Sequence, residues 1–154
     1  MIKSWNHENV DVSQHDGIWV TQTQNEELLS EAFKTARNVI LCFSVNKSTA
    51  FQGYVRIPRL LCKSTLTSHQ ARMESLPGTA PQPSWVKDLR WPSSPPFYVR
   101  WITVAETRFS KVGHLKNMLN EGQAVLVGRD GQEIEESCGL ELCKLIDEAK
   151  ERSG

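Results

Sequence analysis

The run VILCFSV at residues 39–45 constrains the fold more than any other feature of the chain. It is strand-sized and continuously apolar, the pattern of a strand buried on both faces. A polar turn follows at 46–50, and FQGYVRI at 51–57 then alternates, so the two runs read as a hairpin. Leu29, Ala32, Phe33 and Ala36 recur at helical spacing behind a Thr23/Glu26 capping box, which predicts a helix over about 24–37. Ile134, Cys138, Leu142, Leu145, Ile146 and Ala149 predict a C-terminal helix packed on the core. Extended segments are expected at 17–22, 97–104 and 124–128, a short helix at 113–119, and a turn at 129–132, where Asp130-Gly131 is the turn signal. Strands and helices mix without strict alternation, so the expected class is α+β: a curved sheet or small twisted barrel flanked by helices. A chain of 154 residues fits one domain with one sizeable core, expected to span 1–154.

Two proline-rich breaks interrupt this pattern. Residues 58–84 carry Pro58, Pro77, Pro81 and Pro83 among many Ser and Thr residues, and read as a long loop; such loops are usually functional or disordered. Residues 92–96, PSSPP, form the second break. Trp85 and Trp91 stand between them, outside any amphipathic pattern. Large rings on loops often mark recognition surfaces. The same residues are equally consistent with loops that fold back and plug the core. Of the other tryptophans, Trp101 alternates within an apolar strand and reads as core, Trp19 ends a short extended segment beside a glycine, and Trp5 follows the first strand. Several indoles brought together would form a slot for a flat base.

Composition narrows the function classes. The formal net charge is zero, with 18 basic and 18 acidic residues, so the strongly basic footprint of many nucleic-acid binders is missing. The acids cluster at 26–31 and 133–151 while Lys3, Arg56 and Arg129 lie elsewhere, which allows a polarised surface. No apolar run reaches the roughly 18 residues of a membrane span. Met1 leads directly into a strand-like segment, as in a domain cut from a longer protein, and no secretory signal is read. Cys42, Cys62, Cys138 and Cys143 are therefore expected as reduced intracellular thiols, and no CxxC or His-x-His spacing offers a zinc site. GxSxG, HExxH and P-loop patterns do not occur, and His7, His15, His69 and His114 are scattered. An enzyme is not expected.

Five blocks carry a resemblance: IKSWNHENV (2–10), GIWVT (17–21), FSVNKSTAFQG (43–53), YVRWI (98–102) and GRDGQEIE (128–135). In order and spacing, from residue 2 to about residue 145, they resemble the YTH domain family. HENV and GRDGQEI are most similar to its nuclear-type subgroup, as a divergent, fungal-like member.

The resemblance implies a small twisted barrel with flanking helices that binds N6-methyladenosine in single-stranded RNA, without cofactor or metal, in the service of mRNA regulation. It implies a cage of Trp19, Trp85 and Trp91, the third being a position that varies in the family. The backbone carbonyl of Val20 would accept the remaining N6–H, the Asn9 side chain would bond a ring nitrogen, and backbone around Ser4 and Trp5 would complete the base-edge contacts. Lys3 and Arg129 match phosphate-contacting positions, with Asp130 beside them, and Gln24 and Asn25 fall near the contact with the preceding nucleotide. Trp5 departs from the family's usual small or polar residue, and stacking on a neighbouring nucleotide is one use for it. Taken singly, Arg129 reads as a surface turn residue and Asn9 as a helix or turn cap. An unmethylated RNA motif, or N6-methyladenine in DNA, stays open as an alternative ligand, as does a protein-interaction role for the proline-rich loops. The expected setting is a monomeric domain of a larger protein, in nucleus or cytoplasm with the nucleus favoured.

Overall fold

The computed structural model describes residues 1–59 and 80–154. Most of the loop expected at 58–84, with Cys62 and Lys63, lies outside the described residues. The elements run β1 (Ile2–Ser4), α1 (His7–Asp16), β2 (Ile18–Trp19), α2 (Thr23–Thr35), β3 (Ile40–Val45), β4 (Ala50–Arg56), a 3-10 helix (Ser84–Asp88), β5 (Phe97–Tyr98), β6 (Arg100–Arg108), α3 (Phe109–Val112), β7 (Lys116–Asn117), a 3-10 turn (Met118–Asn120), β8 (Gln123–Ala124) and α4 (Glu136–Ser153). The class is α+β, as the patterning predicts. No described helix is long and apolar enough to cross a membrane. The chain forms two compact units, one of Met1–Asp11, Leu41–Val55 and Trp101–Gly154, the other of Val12–Ile40 and Arg56–Arg100.

The first unit is built on a four-stranded sheet in the order β1-β3-β4-β6. This sheet is open among the described residues; the small barrel expected from the resemblance is not closed. β3 is buried from Leu41 to Val45 without a break, the two-sided burial its composition demands. β1 pairs with it in parallel, Ile2 opposite Phe43 and Ser4 opposite Val45. α4 buries Cys138, Leu142, Ile146 and Ala149 along one stripe. Its residues join Met1, Cys42, Phe51, Tyr54, Val112 and Val125 in one core cluster. Gly53 sits at φ 136°, and a Cβ there would strike the carbonyl oxygen of Thr103 and come within 3.2 Å of the Trp101 ring. Trp101 is half-buried rather than fully enclosed, its ring centroid 4.9 Å from that of Phe43.

Several expected elements differ. α1 has no apolar periodicity to announce it; Asn6 starts it, its side-chain oxygen accepting from Asn9 N–H at 2.8 Å. The helix expected at 113–119 is replaced by α3, which ends at Gly113, and by the β7–β8 ribbon, Lys116 opposite Ala124. Buried Asn117 organises that region: its amide donates to the Glu133 carbonyl at 2.8 Å and accepts from Leu119 and Glu135 N–H at 3.2 and 3.0 Å. The strand expected at 124–128 is only Gln123–Ala124, because Val127 N–H turns back to the Ala124 carbonyl. The strand expected at 97–104 is two strands in two sheets, parted at Val99. Ile134 precedes α4 rather than belonging to it.

In the second unit α2 runs from Thr23, not from a Thr23 cap. Gln22 is the N-cap, without a side-chain bond, and Thr23 N–H is taken by the Pro92 carbonyl at 3.1 Å. At the other end Arg59 lies over the Phe33 ring, 4.3 Å from its centroid, and donates to the carbonyls of Phe33, Ala36 and Arg37. A helix leaves its last carbonyls unpaired, and this guanidinium takes that of Phe33 together with the two just beyond the helix, Ala36 and Arg37.

Candidate nucleic-acid interface

Trp19 owes its position to Gly17. Gly17 takes φ 68° and donates to the Ser13 carbonyl at 2.8 Å, ending α1 in the left-handed turn that glycine accommodates. The chain then enters β2, which pairs antiparallel with β5, Ile18 opposite Tyr98 and Trp19 opposite Phe97. The pairing continues on both sides. Val99 N–H reaches the Gly17 carbonyl at 2.9 Å, and Ser94 N–H reaches the Thr21 carbonyl at 2.8 Å. Thr21 N–H donates to the Ser94 hydroxyl at 3.1 Å, and Gln22 bridges Ser93. The second proline-rich break is thus the partner of residues 17–23. Proline cannot donate but can accept, so Pro92 contributes its carbonyl and the two serines supply the rest.

Trp85 arrives on the 3-10 helix that follows Pro83. Trp19 and Trp85 are 4 and 9 % exposed, with ring centroids 5.2 Å apart and planes tilted by 49°. Two rings in contact at that angle leave no slot between them; they form a floor and a wall. The Trp85 indole nitrogen is shut from solvent and has no acceptor among the described residues. A buried donor without a partner carries a desolvation cost and is uncommon outside working sites. Trp91 is half-buried, one residue before the Pro92 carbonyl that fixes this segment. Among the described residues it makes no ring contact with the other two. Val20 is 1 % exposed, Asn25 is buried and Gln24 is exposed, its amide on the Gln22 side chain at 2.8 Å. Sequence reading singles out neither Ser94 nor Thr21, whose partnership spans 73 residues and leaves no periodic trace.

The remaining predicted residues gather in the first unit. Ser4 is buried, its carbonyl accepts from Asn46 N–H at 2.9 Å and its hydroxyl donates to the Asn6 carbonyl at 2.8 Å. Asn9 is 8 % exposed at the start of α1, and Trp5 is 76 % exposed. The turn after β8 is fastened along β1: Lys3 N–H donates to Asp130 Oδ1 at 2.8 Å and Gly131 N–H to the Met1 carbonyl at 2.9 Å. Asp130 thus helps to hold the turn that carries Arg129. Arg129 is left exposed beside half-buried Lys3, and no ion pair among the described residues engages either. Among those residues no cluster of three metal-ligating side chains occurs.

The chain is similar to known proteins over most of its length. The family model of the YT521-B-like domain (YTH) matches residues 1–147. The chain is 40 % identical over 154 residues to YTH domain-containing protein 1 of Drosophila melanogaster, covering 96 % of this chain and 19 % of that protein. It is 35 % identical to the 30-kDa cleavage and polyadenylation specificity factor 30 of Arabidopsis thaliana, covering 95 % of this chain and 21 % of that one. The chain thus spans about a fifth of the length of these relatives. The Toxoplasma CPSF4 YTH domain, solved in complex with a 7-mer m6A-modified RNA, superposes with a TM-score of 0.71 at 27 % identity, over 95 % of this chain and 87 % of that one. The YTH domain of Zygosaccharomyces rouxii MRB1 protein, solved with N6-methyladenosine RNA, gives a TM-score of 0.74 at 26 % identity, over 94 % of this chain and 83 % of that one. With a match over nearly its whole length, the chain belongs to the YTH (YT521-B-like) domain family.

Proposed function

We propose that this chain is an RNA-binding module that recognises N6-methyladenosine in single-stranded RNA, acting as one domain of a larger protein. The observation that carries the reading is the buried corner of Trp19 and Trp85 in a member of a family whose solved relatives hold methylated RNA. The extruded base lies on one indole with its methyl group toward the other, and Trp91 closes the third side. The Val20 carbonyl and the Asn9 side chain read the base edge with backbone near Ser4, Lys3 and Arg129 take phosphates, and Gln24 and Asn25 meet a flanking nucleotide. This is recognition without reaction, an intracellular role with the nucleus favoured.

Energetics set what the corner must do. Stacking contributes roughly 1–3 kcal/mol per base and is nearly indifferent to methylation. Burying one methyl carbon adds about 0.8 kcal/mol, only a few-fold preference. Stronger selection comes from dryness: an unmethylated amine placed there loses its water and gains no partner. N6-methyladenosine is neutral, so cation–π attraction has no part.

The test is calorimetric titration with two short single-stranded RNAs that differ in one N6-methyl group. The wild type should prefer the methylated strand, and Trp85→Ala should weaken that binding by roughly 10-fold or more while removing the preference. Trp85 is buried, so Trp85→Phe, which keeps an apolar wall, serves with thermal melting as the folding control. Equal affinity of the wild type for both strands would overturn the reading.

A further inference from the structure

Trp5 is 76 % exposed, so its ring adds little to the packing of the described residues. It stands immediately before the N-cap Asn6, where an apolar side chain ordinarily folds over the fourth helical residue as a staple. That residue, Val10, is 2 % exposed, yet Trp5 is 76 % exposed, so the staple is not made. Leaving most of an indole in water is unusual for so large an apolar group.

The backbone that carries the ring is fixed on both sides. Ser4 is held by β1–β3 pairing, by Asn46 N–H on its carbonyl at 2.9 Å and by its own hydroxyl on the Asn6 carbonyl at 2.8 Å. Asn6 is held by its cap bond to Asn9 at 2.8 Å. With the backbone already ordered, binding has only the two side-chain torsions of the indole left to fix. Two cations belong to the same neighbourhood: Lys3 lies two residues back on β1, and the Arg129 turn is fastened to β1 through Asp130 and Gly131, with the Asp130 carboxylate engaged by Lys3 N–H and Glu8 exposed in the first turn of α1. Neither β1, nor the first turn of α1, nor residues 129–131 carries another exposed large apolar side chain. A protein partner's apolar face would require a patch. One flat ring beside two cations matches a base on a phosphate backbone.

We propose that Trp5 is a stacking platform for a second, unmodified base of the bound RNA strand, with Lys3 and Arg129 on the phosphates next to it. This rests on the RNA-binding reading above, and it assigns a contact distinct from recognition of the methyl group.

The experiment places the fluorescent base 2-aminopurine at each unmethylated position in turn of a short RNA containing one N6-methyladenosine. Wild type should quench the fluorophore at one flanking position, and Trp5→Ala should abolish that quenching. Trp5→Ala should also weaken binding by about 5-fold to about 150-fold, equally for methylated and unmethylated strands and at high as at low salt, with Trp5→Phe restoring part of it. Unchanged affinity and quenching in Trp5→Ala overturn the proposal and leave the indole to a partner other than RNA. A loss confined to the methylated strand also overturns it, because the ring would then serve the cage. If wild type shows no methyl preference but quenching still depends on Trp5, the platform stands and the methyl-reading function fails.

Discussion

Trp19 and Trp85 are 4 and 9 % exposed and touch each other, so these two proposed cage residues also help to keep the second unit packed. Trp91 is half-buried and outside that contact. The three should therefore separate experimentally. Trp91→Ala is expected to weaken methylated-RNA binding by about 1–3 kcal/mol with little change in melting temperature. Trp85→Ala should lower both, since removing a buried large ring typically costs about 3–5 kcal/mol. Parallel melting and titration of the two variants checks this; equal loss of stability in both would mean that Trp91 is a packing residue. The contrast marks what was legible in the sequence. Alternation alone put Trp101 on a strand, and the ring does pack on Phe43. Trp85 and Trp91 follow no period and lie outside the matched blocks; their place between two proline-rich breaks singled them out, and only the resemblance gave them a role. Nothing in the sequence could show that Asp130 is spent on Lys3 N–H, because that bond spans 127 residues.

At the scale of elements, the hairpin was readable because its strands are apolar runs, although β4 is buried almost throughout rather than on alternate residues as its pattern predicts, and the C-terminal helix because its buried residues recur at helical spacing. α1 was not readable, having Asn9, Val10 and Ser13 as its buried residues and two of them polar. The proline-rich stretch at 92–96 was not readable either, because its order comes from residues 17–23 and not from itself. Gly53 shows how closely β4 lies to β6. Gly53→Ala would force a Cβ against the Thr103 carbonyl in a backbone conformation that alanine disfavours, so a loss of more than about 2 kcal/mol is expected in denaturant melts. A melt like that of wild type would show that the strands can part. α4 is tied to the same sheet by Asp147, which accepts from the Tyr54 hydroxyl at 3.0 Å through each of its oxygens and from Thr103. Burial, followed by the adjacent carboxylate, pushes the Tyr54 phenol above its ordinary value of 10.0. The folded state then holds that proton more tightly than the unfolded chain. The contribution is complete below the ordinary phenol value and is lost as pH rises through the raised one. Tyr54→Phe should flatten the alkaline decline of stability in that window, and a decline as steep as wild type's would assign it to two thiols that are also raised, Cys138 by burial and Cys143 by its contact with Cys42 and then by burial.

Over the whole molecule, 18 basic and 18 acidic residues cancel. Without net charge the chain as a whole draws RNA only weakly at long range, so affinity is expected to come from stacking and a few local phosphate contacts. Acidic charge is concentrated along α4, where Glu136, Glu141, Asp147, Glu148 and Glu151 lie, whereas Lys3 and Arg129 belong to the β1 edge and the turn fastened to it. This bears on salt dependence. Each phosphate neutralised on a single strand contributes about −0.7 to the slope of log K against log salt concentration. If Lys3 and Arg129 are the principal phosphate contacts, the wild-type slope should be about −1.4, shallow for a nucleic-acid binder. Lys3→Ala or Arg129→Ala should each flatten it by about 0.7 for methylated and unmethylated strands alike, leaving the methyl preference intact. Lys150→Ala, an equal change in net charge on the exposed side of α4, should leave the slope where it was. Titrations across a salt series decide between a local and a global account. A slope that follows net charge whichever lysine is removed would mean that the RNA senses the whole molecule. A slope that responds only to Lys3 and Arg129 would place the backbone contacts on the β1 edge, beside Trp5.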